Sequence, residues 1–130
     1  MKIIVGYDGS NCAKDALALA KKHALAFGAQ VLVIASLSGG SATHAVEVEH
    51  ANEDLQYAKD FLEEDNIACE TKLLVRGMTP GEDLVNYAKE QAVDEIFIGI
   101  KRRSKVGKLL FGSNAQYIII KAHCPVVTVK

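Results

Sequence analysis

Three short, almost uninterrupted apolar runs constrain this chain more than anything else in it. They are residues 2–7 (KIIVGY), 31–37 (VLVIASL) and 95–100 (EIFIGI). A strand with one wet face alternates polar and apolar residues, whereas a short continuous apolar run is covered on both faces. Such strands occur in parallel sheets flanked by helices, and the segments between these runs read as helices. The expected order is β-α-β-α-β-α-β-α-β, an α/β fold in one domain over residues 1–130. Crossovers are expected to be right-handed.

The helical segments carry their own signals. After the first run, Asp8-Gly9-Ser10 forms a turn, with Ser10 as the N-cap of a helix. Ala13, Ala16, Leu17, Ala20, Ala24 and Phe27 recur at helical spacing, and Gly28 ends the helix. SGGSATHA, residues 38–45, reads as a loop. Val48, Ala51, Leu55, Ala58 and Leu62 mark a second helix, whose outer face carries Glu53, Asp60, Glu63 and Glu64. Cys69 to Arg76 alternates, with Glu70 and Lys72 exposed, as a half-covered edge strand does. Thr79-Pro80-Gly81-Glu82 is a capping box with proline at the first helical position, and Leu84, Val85 and Ala88 follow on the core face. Ser113 to Gln116 reads as a second capping box. It opens a helix marked by Ala115, Ile118, Ile119 and Ala122, and Pro125 to Val129 is a last strand.

In such a sheet a ligand lies at the carboxyl ends of the strands, where the strand order reverses. Three segments reach that edge: Gly6-Tyr7-Asp8, the end of the second strand near Ser36, and the stretch after Gly99. The last is the most telling. The strand Ile96–Gly99 runs into KRRSKVGK, with Lys101, Arg102, Arg103, Lys105 and Lys108, and Gly112-Ser113 then opens a helix. A glycine admits close backbone approach, and a helix N-terminus and cationic loop both attract negative charge. A phosphate-bearing ligand is the expectation. Two familiar phosphate motifs are absent. Gly107-Lys108 could end a P-loop, but position 102 is Arg where that motif needs Gly, and position 109 is Leu where it needs Ser or Thr. No GxGxxG follows the first strand.

Composition narrows the remaining classes. The net charge of -1 offers no field for a polyanion, so no nucleic-acid partner is expected. No apolar run approaches the roughly 20 residues of a membrane span, and MKIIVGYDGS reads as strand and turn, not as a leader. Cys12, Cys69 and Cys124 have no metal-ligand or disulfide spacing, and His23, His44, His50 and His123 are scattered. Reduced thiols and no metal site are expected. Nor do Ser, His, Cys and Asp assemble into a nucleophilic constellation at the expected edge, so catalytic residues are not assigned.

The spacing Gly99-x2-Arg102-x9-Gly112-Ser113 resembles Gly-x2-Gly-x9-Gly-Ser/Thr, the nucleotide-binding signature of the universal stress protein family. IIVGYDGS resembles that family's first strand and turn, VRGMTPGEDLVNYAKE its third strand and helix, and VGKLLFGSNAQYIIIKAHCPVVTV its C-terminal third. The resemblance covers the whole chain. It implies a doubly wound, Rossmann-like parallel sheet of five strands in the order 3-2-1-4-5, with helices on both faces. It also implies a homodimer through the last strand and a cytoplasmic regulatory role in the stress response, with a protein partner it does not name. The implied ligand is ATP or another adenine nucleotide, with Mg2+ as a companion of its phosphates; some members bind ATP and others do not. By position, Asp8, with Gly6 and Tyr7 beside it, would meet the ribose, and Ser36 would meet adenine through its backbone. Ile98 and Gly99 would line the nucleoside, and Gly112, Ser113 and the amides of Asn114 and Ala115 would hold phosphates.

Arg102 departs from the family pattern, which has glycine there. A guanidinium can pair with phosphate in bidentate fashion. Its bulk can equally fill the space that glycine leaves. The first case gives a nucleotide-responsive regulator; the second gives a nucleotide-free interaction module whose dimer and acidic second helix carry function. A weak ATPase is a third reading. Asp8 is the one evident carboxylate at the edge and is spent on ribose, whereas phosphoryl transfer also needs a metal-holding group. Asp8 also has an ordinary role open to it, as the cap of an Asx turn.

Overall fold

The computed structural model describes residues 1–39, 44–101 and 112–130. Its elements are β1 (Lys2–Gly6), α1 (Asn11–Phe27), β2 (Gln30–Leu37), α2 (Ala45–Glu63), β3 (Cys69–Val75), α3 (Pro80–Glu90), β4 (Glu95–Gly99), α4 (Ser113–Lys121) and β5 (Val126–Val129). The strands form one sheet in the order β3-β2-β1-β4-β5, and every neighbouring pair is parallel. The expected fold class and strand order are both present.

Strand periodicity divides the core in two. Ile3, Val5, Val31, Val33 and Phe97 face α1 and α2, where they meet Ala13, Leu17, Leu55 and Leu62. Ile4, Leu32, Ile34, Ile96 and Ile98 face α3 and α4, where they meet Leu84, Ala88 and Ile118. Both faces of β1, β2 and β4 are therefore dry, which is why these runs lack polar residues. β3 and β5 are the edges, and the charged residues of β3, Glu70 and Lys72, are exposed as its alternation requires.

Local chemistry sets the element ends. Ser10 caps α1 by accepting from the Ala13 N–H at 3.3 Å. Thr79 caps α3 in the same way, accepting from the Glu82 N–H at 3.4 Å while its own hydroxyl donates to Glu82 Oε1 at 2.8 Å. The strands after residue 1 and residue 94 are slightly shorter than expected, ending at Gly6 and Gly99. The Tyr7 N–H still donates to the Ile34 carbonyl at 2.9 Å, so the ladder runs one bond past β1. Two apolar residues on expected helix faces are outside the core: Phe27 is 63% exposed and Ile119 43%. Each lies near a helix end with no further layer among the described residues to cover it, and α4 buries Ile118 alone.

Candidate functional site

β1 leads to α1 on one face of the sheet, and β4 leads to α4 on the other. The adjacent ends of β1 and β4 therefore part, and a cleft opens between them at the carboxyl edge. Its volume is 240 Å³, just under the range of about 300–1,000 Å³ usual for small-molecule sites. It is lined by Gly6 at the end of β1 and by Tyr7 and Asp8 just after it, from β2 by Ile34 and Ser36, and from β4 by Ile98 and Gly99. Ala13 of α1, Pro80, Gly81 and Leu84 of α3, and Asn114, Ala115 and Ile118 of α4 complete it. The inner walls are apolar and the polar groups stand at the mouth, so the cleft suits a flat apolar group carrying a polar tail.

Asp8 is held by the turn it makes. Its Oδ1 accepts from the Ser10 N–H at 3.0 Å and from the Ser10 hydroxyl at 2.5 Å, and the same hydroxyl oxygen caps α1. Lys101 Nζ stands 3.6 Å from Oδ2. Partial burial pushes the Asp8 carboxyl upward, but the Ser10 hydrogen bonds and the Lys101 charge outweigh it. The net effect holds the group below the ordinary 3.8. An ionised carboxylate has about four lone-pair sites, so an exposed Asp8 that already serves Ser10 and Lys101 can still accept from a ligand hydroxyl. The Asx-turn role is thus present, and it leaves the ligand role open.

Tyr7 contributes backbone to the cleft. Its ring lies on the opposite face, packed in the α1/α2 core at 3% exposure. The hydroxyl is buried without a hydrogen-bond partner among the described residues. Burial, then the charges of Tyr57, Asp54 and Asp8, push it up to about 12.

Ser36 marks the end of β2. The Ile34 carbonyl accepts from β1, and backbone groups repeat their direction every second residue. Ser36 therefore turns its backbone carbonyl to the same side, beyond the end of β1. Its hydroxyl donates to Asp83 Oδ2 at 2.8 Å. Asp83 is fully buried and also accepts at Oδ1 from Arg76 Nε, at 2.5 Å. Neither Asp83 nor the lining residues Pro80, Gly81 and Leu84 are among the site residues inferred from sequence. An acid within the apolar stripe that includes Leu84, Tyr87 and Ala88 is the signal that could have marked Asp83.

Gly99 makes a close approach, though to protein. A Cβ there would stand 2.6 Å from Cys12 O and 2.6 Å from Ala13 N, so the glycine admits the first turn of α1 against β4. Gly81 does the same between helices: a Cβ would lie 3.0 Å from the Asn114 carbonyl oxygen. The Gly81 N–H donates to Asn114 Oδ1 at 3.0 Å, which ties the N-termini of α3 and α4 together at the cleft mouth.

The start of α4 corrects one expectation. Gly112 is its N-cap and Ser113 its first helical residue, and no side-chain cap bond forms. The Gln116 N–H meets the Gly112 carbonyl at 3.1 Å, as the first turn of the helix requires. The N-cap therefore stands one residue ahead of the expected Ser113. Gly112 and Ser113 are exposed just ahead of Asn114 and Ala115, which line the cleft. Lys101 lies at the mouth, engaged with Asp8. Arg102, Arg103, Lys105 and Lys108 lie outside the described residues. Among those described, no three His, Cys, Asp or Glu side chains cluster as metal ligands, and no helix is long and apolar enough to cross a membrane.

Comparison with known proteins agrees with this architecture. The chain is 32% identical to a universal stress protein of Thermus aquaticus, over 98% of this chain and 97% of that one. The structure of a universal stress protein from Archaeoglobus fulgidus superposes with a TM-score of 0.93 at 39% identity, covering 100% of this chain and 98% of the other. A universal stress protein from Archaeoglobus fulgidus in complex with dAMP superposes with a TM-score of 0.87 at 35% identity, with 100% and 98% covered. The family profile of the universal stress proteins matches residues 1–130. With the sheet order, the edge cleft and the full-length match in agreement, the chain belongs to the universal stress protein family.

Proposed function

We propose that this chain binds an adenine nucleotide in the edge cleft and acts as a nucleotide-responsive regulator in the stress response. The observation that carries the reading is the cleft itself: apolar walls from Ile34, Leu84, Ile98 and Ile118, with Asp8 on one side of its mouth and the N-terminus of α4 on the other. The walls suit a purine, Asp8 suits the ribose hydroxyls, and the Asn114 and Ala115 end of α4 suits phosphate through its N–H groups and dipole. The 35%-identical Archaeoglobus fulgidus protein in complex with dAMP supports the same ligand class. In this reading ATP is the ligand and its outer phosphates extend toward the basic residues that follow Lys101. Mg2+ would arrive on those phosphates and keep most of its own water, as it usually does.

The regulatory form in this reading is a cytoplasmic homodimer paired through β5, which then meets a further protein. Support for that surface is the position of β5 at the sheet edge, where β4 is its one neighbour among the described residues. An open edge strand is a ready template for a second strand.

One observation favours a second reading. Lys101 already stands against Asp8, so the edge can satisfy its own charge as a nucleotide-free interaction module. Isothermal titration with ATP of wild type and Arg102→Gly separates the two. Binding by wild type that weakens in the variant makes Arg102 a phosphate ligand. Binding by the variant alone means that the arginine fills the site. No binding by either protein at millimolar ATP overturns the nucleotide reading.

A further inference from the structure

We propose that the Ser36 hydroxyl, fixed as a hydrogen-bond acceptor by buried Asp83, selects a 6-aminopurine over a 6-oxopurine. The inference rests on the nucleotide reading above and concerns which base the cleft takes.

Asp83 has no solvent exposure, and its two carboxylate oxygens are divided between two partners. Oδ1 takes Arg76 Nε at 2.5 Å, and Oδ2 takes the Ser36 hydroxyl at 2.8 Å. Arg76 is held in turn. Its Nη2 donates to the Asp83 main-chain carbonyl at 3.3 Å, and its Nη1 lies 3.1 Å from Glu90 Oε2. A carboxylate ion-paired to a guanidinium accepts and does not donate. The proton of the Ser36–Asp83 bond is therefore the serine's, and serine has only one.

What Ser36 can still offer through this oxygen is lone pairs. Ser36 shares a sheet face with Ile34, half-buried, and lines the cleft. A ligand group that meets this oxygen must itself donate. The 6-amino group of adenine donates; the 6-carbonyl of hypoxanthine brings lone pairs against lone pairs. Ser36 is half-buried, so an unpaired polar contact at its oxygen is costly, and the mismatch discriminates. The specificity comes from a buried acid that never touches the ligand: Asp83 is a positioning residue for Ser36.

The test is a titration of wild type, Ser36→Ala and Asp83→Asn with AMP and with IMP. The two nucleotides also differ at N1, so the informative quantity is the change in their affinity ratio on substitution. Wild type is expected to favour AMP, and Ser36→Ala to cut that preference by roughly tenfold, the scale of one unmatched polar contact. In Asp83→Asn the amide oxygen stays with Arg76 and the amide nitrogen turns to Ser36. The serine proton is then free to enter the cleft, and the ratio shifts further toward IMP. If Asp83→Asn does not fold, Ser36→Ala decides alone. An AMP:IMP ratio unchanged in Ser36→Ala, with wild type binding AMP, overturns this inference and leaves the nucleotide reading standing. Failure of wild type to bind either nucleotide overturns both.

Discussion

At Gly99 the missing side chain serves packing before it serves any ligand. A Cβ would meet the carbonyl oxygen of Cys12 and the amide nitrogen of Ala13 at 2.6 Å, both of them backbone atoms of the first turn of α1. Backbone cannot rotate aside as a side chain does, so Gly99→Ala must push α1 off β4. The expected loss is at least the 1–3 kcal/mol typical of overpacking, about 2 kcal/mol or more in a denaturant titration. A loss under about 0.5 kcal/mol, the scale of an ordinary surface change, would contradict this packing. The sequence singles out the right glycine for a partly different reason: a glycine at a strand end announces close approach but not what approaches. Tyr7 offers the opposite case. Its hydroxyl is buried with no partner among the described residues, so Tyr7→Phe removes an unsatisfied polar group at little cost in packing. The variant should be as stable as wild type or gain up to about 1–3 kcal/mol. A clear loss of stability would mean that the hydroxyl has a partner. Nothing in the local sequence marks this orphan, because it arises from how α1 and α2 meet over β1.

Lys21 fastens together the two helices that cover one face. Lys21 of α1 donates to the Phe61 carbonyl at 2.7 Å, lies over the Phe61 ring at 3.9 Å and pairs with Asp65 at 2.9 Å. It thereby satisfies a carbonyl in the last turn of α2, where a cation is favourable to the helix dipole. Lys21→Met keeps most of the contact with Phe61 and removes the charge and its bonds. It should cost about 1–3 kcal/mol, since a charge-assisted hydrogen bond is lost and the pairing with exposed acids adds little. Amide exchange should quicken at residues 62–66. Unchanged exchange there would show that α2 holds its end unaided. Lys21 lies too far from Phe61 in sequence for the pair to be evident. The caps at Ser10 and Thr79 were legible because their chemistry is local. The start of α4 lies one residue earlier than its spacing indicates, because glycine and serine both serve as N-caps and Gly112-Ser113 presents them in succession. Asp83 is hidden from sequence for a related reason: its partners are Ser36 of β2 and Arg76, just past the end of β3, both outside its own helix.

Across the whole molecule, the apolar runs and the alternation of segments point directly to a parallel sheet covered on both faces. They do not give the strand order. That came from the family resemblance, and the order β3-β2-β1-β4-β5 bears it out. The order matters because it separates the ends of β1 and β4 and so makes the cleft. From sequence, the strand ends Asp8, Ser36 and Gly99 could be brought to one edge. The α3 wall of Pro80, Gly81 and Leu84 could not, because which helix leans over the opening depends on the packing of α3 against α4. The close contact of Gly81 with Asn114 sets that packing. The measurement that tests the central claim most directly is an amide NMR titration of the wild-type protein with AMP. The account predicts saturable shifts concentrated at Gly6, Asp8, Ser36, Gly81, Gly99 and Ala115, on both sides of the same cleft. Shifts confined to another surface, or none at millimolar AMP, would contradict it.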